Sequence, residues 1–182
     1  SRLADNSANT NLQVKDTVFS TVWNGQIDVP TKNAVYDQMI LNELEDVVRT
    51  EIEELHKFFV DWFTGMVDTD SFDEGFLARF DSDFLFVSPA GIILTLKELS
   101  SKIRNTHHTY ENFHISIRKV KLQRVLDNEI IATYEEWQRN GVTSIASDNG
   151  RVATVVFKKT EPLRWLHVHE TMISEYSKSR TF

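Results

Sequence analysis

Ile130-Ile131-Ala132-Thr133-Tyr134-Glu135-Glu136-Trp137-Gln138, then Arg151 to Lys159, then Trp165-Leu166-His167-Val168-His169-Glu170-Thr171-Met172 are three runs rich in β-branched and aromatic residues. Turn signals separate them, which is the pattern of successive strands. Polar side chains recur on both faces of the first and third runs. A sheet that keeps Glu, His and Trp within its strands has one face turned toward a cavity or a partner. Any chemistry is therefore expected on these strands.

Working outward, Phe113 to Leu126 reads as a long strand, joined to the first run by a tight turn at Asp127-Asn128. Leu96, Leu99 and Ile103 share the inner side of a helix expected over Thr95 to Thr106. Asp83 to Ser88 is a strand that ends at the turn Pro89-Ala90-Gly91, and Asp70 to Phe80 reads as a short helix. From Asn33 to Met66 apolar residues fall at helical spacing: Leu44, Val48, Ile52, Leu55, Phe59, Trp62 and Met66. The opposite side of this helix is charged, which marks a solvated face. Helices first and strands later predict an α+β domain with helices on one side of an antiparallel sheet.

The chain has 182 residues, 41% hydrophobic and 26% charged, with net charge −7. That is long enough for one domain with a proper core and too acidic for non-specific nucleic-acid binding, so no nucleic-acid partner is expected. No apolar run approaches the roughly 18 residues of a membrane helix, no membrane partner is expected, and no secretory signal is read at the start. There are no cysteines, which excludes disulfides, thiolate metal sites and a Cys nucleophile. The six glycines are scattered, and no Gly-rich loop stands between a strand and a helix.

The span from about Asn42 to Ser174 resembles a nuclear transport factor 2-like domain of the SnoaL-like type. The resemblance is carried by Phe72-Asp73-Glu74-Gly75-Phe76-Leu77-Ala78-Arg79-Phe80, Phe84-Leu85-Phe86-Val87-Ser88-Pro89-Ala90-Gly91, Ala132-Thr133-Tyr134-Glu135-Glu136-Trp137 and Arg164-Trp165-Leu166-His167-Val168-His169. The last run is also similar to the end of the association domain of calcium/calmodulin-dependent protein kinase II. The resemblance implies a cone: a strongly bent antiparallel sheet wrapped against about three helices, with a pocket inside and often a dimer across the sheet. The family's shell hosts isomerases, dehydratases, cyclases, transport factors and assembly hubs, so fold does not give function. Ketosteroid isomerases of this fold carry an Asp just before the Pro that ends the first strand, and it is their proton-abstracting base. This chain has Ser88 there, before Pro89, and an ordinary hydroxyl cannot replace a carboxylate in that role. The kinase association domain lines its pocket with arginines, two of which fall on Glu135 and Val155 here. A neutral or cationic ligand is therefore expected rather than a carboxylate. Separately, Trp23-Asn24-Gly25 followed by Pro30-Thr31-Lys32-Asn33-Ala34-Val35-Tyr36-Asp37 is similar to a short motif of bacteriophage tail-fibre proteins.

If the cone holds, Phe84, Phe86, Ser88, Thr133, Glu135, Trp137, Val155, His167 and His169 are expected to line the pocket. Glu135, His167 and His169 are the catalytic candidates. A carboxylate beside an indole gains acid–base potential, and the competing reading is a Glu paired with Arg118 or Arg151. His167 and His169 share one strand face, a spacing that can grip a metal. No third ligand is placed for one, and no metal or cofactor is expected. Trp62, Phe84, Phe86, Tyr134 and Trp165 read either as an aromatic pocket or as core. The expected organisation is an arm at 1–42, the domain at 43–176 and a tail at 177–182, in a cytoplasmic or virion-associated protein. Two functions follow: a pocket for a small, largely hydrophobic ligand, with proton-transfer chemistry if it is an enzyme, or a self-associating assembly module, dimeric or larger, of phage-derived type.

Overall fold

The computed structural model describes residues 34–141 and 148–174. The chain divides into two units, residues 1–47 and 48–182. Of the first, the described part is the opening of helix α1 (Ala34–Thr64), so the boundary expected at 42/43 falls inside that helix. All other described elements belong to the second unit: short helix α2 (Phe72–Gly75), β1 (Phe80–Val87), β2 (Ile93–Thr95), α3 (Leu96–Arg104), β3 (His114–Val125), β4 (Glu129–Arg139), β5 (Asn149–Lys158) and β6 (Arg164–Met172). The tail-fibre-like motif lies outside the described residues up to residue 33, and its last four residues open α1.

Helix α1 buries Val48, Ile52, Leu55, Phe58 and Trp62 along one stripe and exposes Glu53, Glu54 and Lys57 on the other. It stops at Gly65, whose φ is +76°. Gly65 N–H donates to the Trp62 carbonyl at 3.3 Å and Met66 N–H to the Asp61 carbonyl at 2.8 Å. This paired closure consumes orphan carbonyls and needs a left-handed residue, a role for glycine. The helix expected over Asp70–Phe80 is instead broken into 3-10 turns at Thr69–Ser71 and Leu77–Arg79 flanking α2. Helix α3 starts with a full capping box between Thr95 and Glu98.

The six strands form one open sheet in the order β2-β1-β6-β5-β4-β3. Neighbours pair antiparallel except β1 with β6, which run parallel, so the sheet is mixed rather than purely antiparallel. Strand β2 has three residues, too few for a period-2 pattern to reveal. One sheet face, the inner one, meets α1: His56 reaches Glu136 on β4, and Glu51 accepts from the Trp165 indole on β6 at 2.8 Å. Arg79 donates to the other Glu51 oxygen at 2.7 Å, so one carboxylate ties helix, sheet and the α2 region together. A chain of rings continues the core, with centroids 4.8 Å apart for Trp62–Phe72, 4.9 Å for Phe72–Phe76, and 4.6 Å for both Phe76–Phe80 and Phe80–Phe84. Aromatic pairs at this spacing add to simple area burial.

Gly75 has no room for a side chain: an added Cβ would stand 2.4 Å from Phe58 ring carbons. Gly75→Ala is expected to destabilise the fold by about 1–3 kcal/mol, as overpacked cores do, measured as a fall in the urea midpoint at unchanged m-value. An unchanged midpoint would mean the ring yields freely.

Candidate functional site

A cavity of about 190 Å³ lies between the inner sheet face and the helices. Its walls are apolar: Leu55, Phe59 and Phe63 from α1, Phe84 and Phe86 from β1, Leu99 and Ile103 from α3, Trp165 and Val168 from β6. One end is polar, made by His56, Tyr134, Glu136, Gln138, Arg151 and Glu170. Strand register explains the grouping. Glu136 stands opposite Arg151, Gln138 opposite Asn149, and Tyr134 and Glu170 both flank Ala153. Directly opposed residues share a face, so the polar groups gather on neighbouring rungs.

The protonation states follow from geometry. His56 Nδ1 lies 2.6 Å from the Ile52 carbonyl oxygen, and its Nε2 lies 3.1 Å from Glu136 Oε2. A carbonyl only accepts, so Nδ1 carries hydrogen. The contact between Nε2 and the carboxyl then shares one more proton, and the raised His56 pKa and lowered Glu136 pKa favour it on the imidazole. Burial by itself lowers the His56 pKa, but the Glu136 charge and hydrogen bond outweigh it and raise it above the ordinary value. Burial works against ionised Glu136 too, and His56 together with Arg151 overcomes it, bringing that carboxyl down to about 2. Gln138 Nε2 donates to the remaining Glu136 oxygen at 2.6 Å.

Arg151 Nη1 donates to Glu170 Oε2 at 2.9 Å, and Nη2 donates to Asn149 Oδ1 at 2.8 Å. Its buried Nε–H has no hydrogen-bond partner among the described residues. Glu170 is the odd member: burial and the Glu136 charge push it up to about 7 despite Arg151. Tyr134 feels burial first and then the same two carboxylates, which hold its phenol well above the usual range.

The residues expected from sequence divide between the two faces. Phe84 and Phe86 line the cavity. Val155 is buried on the inner face, between Ala132 and Val168, but does not reach the cavity wall. The structure places Thr133, Glu135, Trp137, His167 and His169 on the outer face, away from it. Glu135 accepts from Lys119 Nζ at 2.7 Å and from the Trp137 indole at 3.0 Å, and the lysine and indole bonds leave its pKa lowered against the effect of burial. Its ion-pair partner is thus neither Arg118 nor Arg151. Thr133 Oγ1 accepts from Gln123 at 2.9 Å. The Arg118 guanidinium stacks 5.4 Å from the Trp137 ring. Burial, then His169, lowers the His167 pKa. Ser88 Oγ accepts the Ile92 N–H at 3.1 Å and so serves its turn. Among the described residues no group of three or more His, Asp or Glu is arranged to hold a metal, and no described helix is long and apolar enough to cross a membrane.

His56, Glu136, Gln138, Arg151 and Glu170, which with Tyr134 make the polar end of the cavity, were not gathered by the sequence reading. One signal for His56 was present: an ionisable residue on the α1 core stripe, four after Ile52 and three before Phe59.

No family model and no curated protein matches this chain. Solved structures do. An NTF-2 like protein of unknown function from Pseudomonas aeruginosa is similar at 28% identity and TM-score 0.63, covering 70% of this chain and 99% of its own. An NTF2-like protein of unknown function in nutrient uptake from Rhodospirillum rubrum is similar at 13% identity and TM-score 0.52, covering 70% and 98%. The CaMKII hub of S. rosetta is similar at 12% identity and TM-score 0.54, covering 70% and 95%. None of these similarities bears on the tail-fibre-like segment.

The pKa shifts fix the sign of a pH effect. The folded value of Glu170, about 7, exceeds its ordinary 4.5, so the unfolded chain releases that proton first as pH rises and the fold is progressively penalised. The raised His56 acts in the same direction: its contribution is full below 6.5 and is lost as pH climbs through the folded value. Glu136 stabilises the fold in full above its ordinary 4.5, and that stabilisation is lost as pH falls toward about 2. The urea midpoint is expected to decline between about pH 5 and about pH 8, and Glu170→Gln, which cannot titrate, should remove most of the decline. An equal decline in that variant would contradict the assignment.

Proposed function

We propose that this chain, which has the nuclear transport factor 2-like fold, binds a small, largely hydrophobic molecule in the cavity between α1 and the inner sheet face. The observation that carries this reading is an aromatic-walled hollow closed at one end by buried, mutually paired charges. Apolar walls with a few convergent polar groups are the usual make-up of a ligand site. A protein needing only stability would gain as much from a filled apolar core, since buried ion pairs roughly break even against well-packed hydrophobic residues. The two cations at the polar end, His56 and Arg151, count against a cationic ligand. Glu170 is the pocket group whose proton exchanges near neutrality, so proton transfer to a bound ligand, where it occurs, runs through that carboxyl.

The test is a fragment screen by thermal shift on the protein and on Leu99→Trp, whose larger side chain fills the half-buried wall on α3. Hits are expected to raise the melting temperature of the parent and leave the folded variant unmoved. Hits that stabilise both equally would place binding elsewhere.

A second reading, self-association, has its own observation. Among the described residues the outer sheet face carries no helix, and it exposes Leu85 at 41% and Val152 at 42%. Leu85 shares its row with His167 and Val156, and Val152 stands between Thr171 and Glu135, whose charge is met by Lys119. A partner in the form of a second copy suits such a face, since the neighbouring carboxylate is already paired. Assembly of a phage-derived structure is the narrower form of this reading and depends on the segment at 23–37. Light scattering at micromolar concentration should report a dimer or larger that Val152→Glu converts to a monomer. A monomeric parent protein removes the reading.

A further inference from the structure

We propose that the cavity takes a small monocarboxylate of about one aromatic ring, its carboxylate held between the Tyr134 hydroxyl and the Glu170 carboxyl. The inference rests on the ligand-pocket reading above and names the chemistry that site takes.

Hydrogen-bond accounting singles out these two groups. At the polar end both nitrogens of His56 and both oxygens of Glu136 have partners, and Arg151 is tied to Glu170 and Asn149. Among the described residues the Tyr134 hydroxyl and Glu170 Oε1 have none. Neither is fully enclosed, since Arg151 Nε is the one enclosed side-chain nitrogen or oxygen left without a partner there. Both residues line the cavity, so both groups keep surface that a ligand can touch. They rise from the inner face on either side of Ala153, whose short side chain does not stand between them. A hydroxyl and a protonated carboxyl each offer one O–H, and a carboxylate has an oxygen for each. Bonds of the O–H···O⁻ kind are short and strong.

Charge favours an anion at this place. His56 and Arg151 are cations, and Glu136 is an anion whose two oxygens are already occupied. Glu170, at about 7, keeps its proton below neutrality. With that proton in place the polar end holds one positive charge in excess. An apolar enclosure makes such an excess costly, and a bound carboxylate removes it. His56 from α1, Tyr134 and Glu136 from β4 and Arg151 from β5 are the titratable and charged groups around Glu170, and the cavity walls from β1 and α3 are apolar. A ligand anion adds to the negative charge that already holds the Glu170 proton, so binding draws a proton onto that carboxyl. Glu135, the charge that counted against a carboxylate in the sequence, stands on the outer face. Size sets the rest: a dry cavity of roughly 150 Å³ accepts benzene, and this one, at about 190 Å³, has room for one ring and its carboxylate.

Isothermal titration with benzoate, benzamide, benzylammonium and toluene tests the proposal. At about pH 6 benzoate is expected to bind about tenfold more tightly than benzamide or toluene, and benzylammonium most weakly. From about pH 6 to about pH 8.5 benzoate affinity should fall roughly thirtyfold while toluene affinity stays level. Near pH 8, runs in buffers of unequal ionisation enthalpy should show about one proton taken up per benzoate bound. Glu170→Gln keeps a donor but cannot titrate, so it should lose most of the fall. Tyr134→Phe should weaken benzoate about tenfold and leave toluene as it was. Equal affinity for benzoate and benzamide at about pH 6, a benzoate affinity level with pH, or an undiminished fall in Glu170→Gln would each overturn the inference, and toluene binding would leave the pocket reading standing. Failure of every probe would overturn both. The comparison of probes and pH in the unaltered protein is decisive by itself if the variants do not fold.

Discussion

Because the Ile52 carbonyl can only accept, the imidazole nitrogen it meets is bound to carry hydrogen, and the charge state of the whole pocket follows from that contact. His56 faces Glu136 with its other nitrogen, so the pair holds one proton between them, and their opposite pKa shifts favour imidazolium and carboxylate. Glu136 is then a fixed negative charge in a low-dielectric place. Burial first, and then this charge, work against a second anion nearby, so Glu170, next to a guanidinium, still retains its proton toward neutrality. Two carboxylates on adjacent rungs thus differ widely in acidity because one has a helix residue opposite it and the other does not. Environments that separate two like groups in this way are how proteins obtain distinct acid and base roles from one residue type.

The sheet has two faces with different chemistry, so the two proposed properties would not conflict in one domain. The inner face carries aromatic and paired charged groups under α1. The outer face carries Thr, His and Val rows, with Glu135 and Lys119 paired near one side. Nothing polar on the outer face depends on the inner cluster, since backbone and side chain alternate through the pleat. Ligand occupancy and contact with a second copy are therefore separable in mutagenesis.

Much of the architecture was legible from sequence. Strands β3 to β6, the long helix and α3 appear within about two residues of where periodicity and turn chemistry place them. The split of Asp70–Phe80 was hidden because Phe72, Phe76 and Phe80 repeat at helical spacing even though Gly75 and the Phe58 ring interrupt the helix. The inner face was the harder matter. Alternation shows which residues share a side and is silent about which side faces the core when both parities mix polar and apolar groups. On β6 it was misleading. The register slips between Val156 and Phe157, where Phe157 pairs with Trp165 and Val156 with His167. A bulge of this kind reverses parity, so Trp165 and Val168 face inward together while His167 and His169 turn out. Counting by twos from Trp165 places both histidines in the pocket. The structure puts Glu170 there instead.

The order of the strands carries a consequence for how such a molecule is made. β6 is the last of the described strands in sequence, yet it sits in the middle of the sheet between β1 and β5. During synthesis β1 emerges early and waits, its inner Phe84 and Phe86 uncovered, until the final strand leaves the ribosome to pair with it. The cavity has no floor before that moment, since Glu170 and Trp165 arrive with the same strand. A nascent chain halted short of Arg164 exposes an aromatic seam to every chaperone and protease it meets, and the arrival of β6 is what closes it.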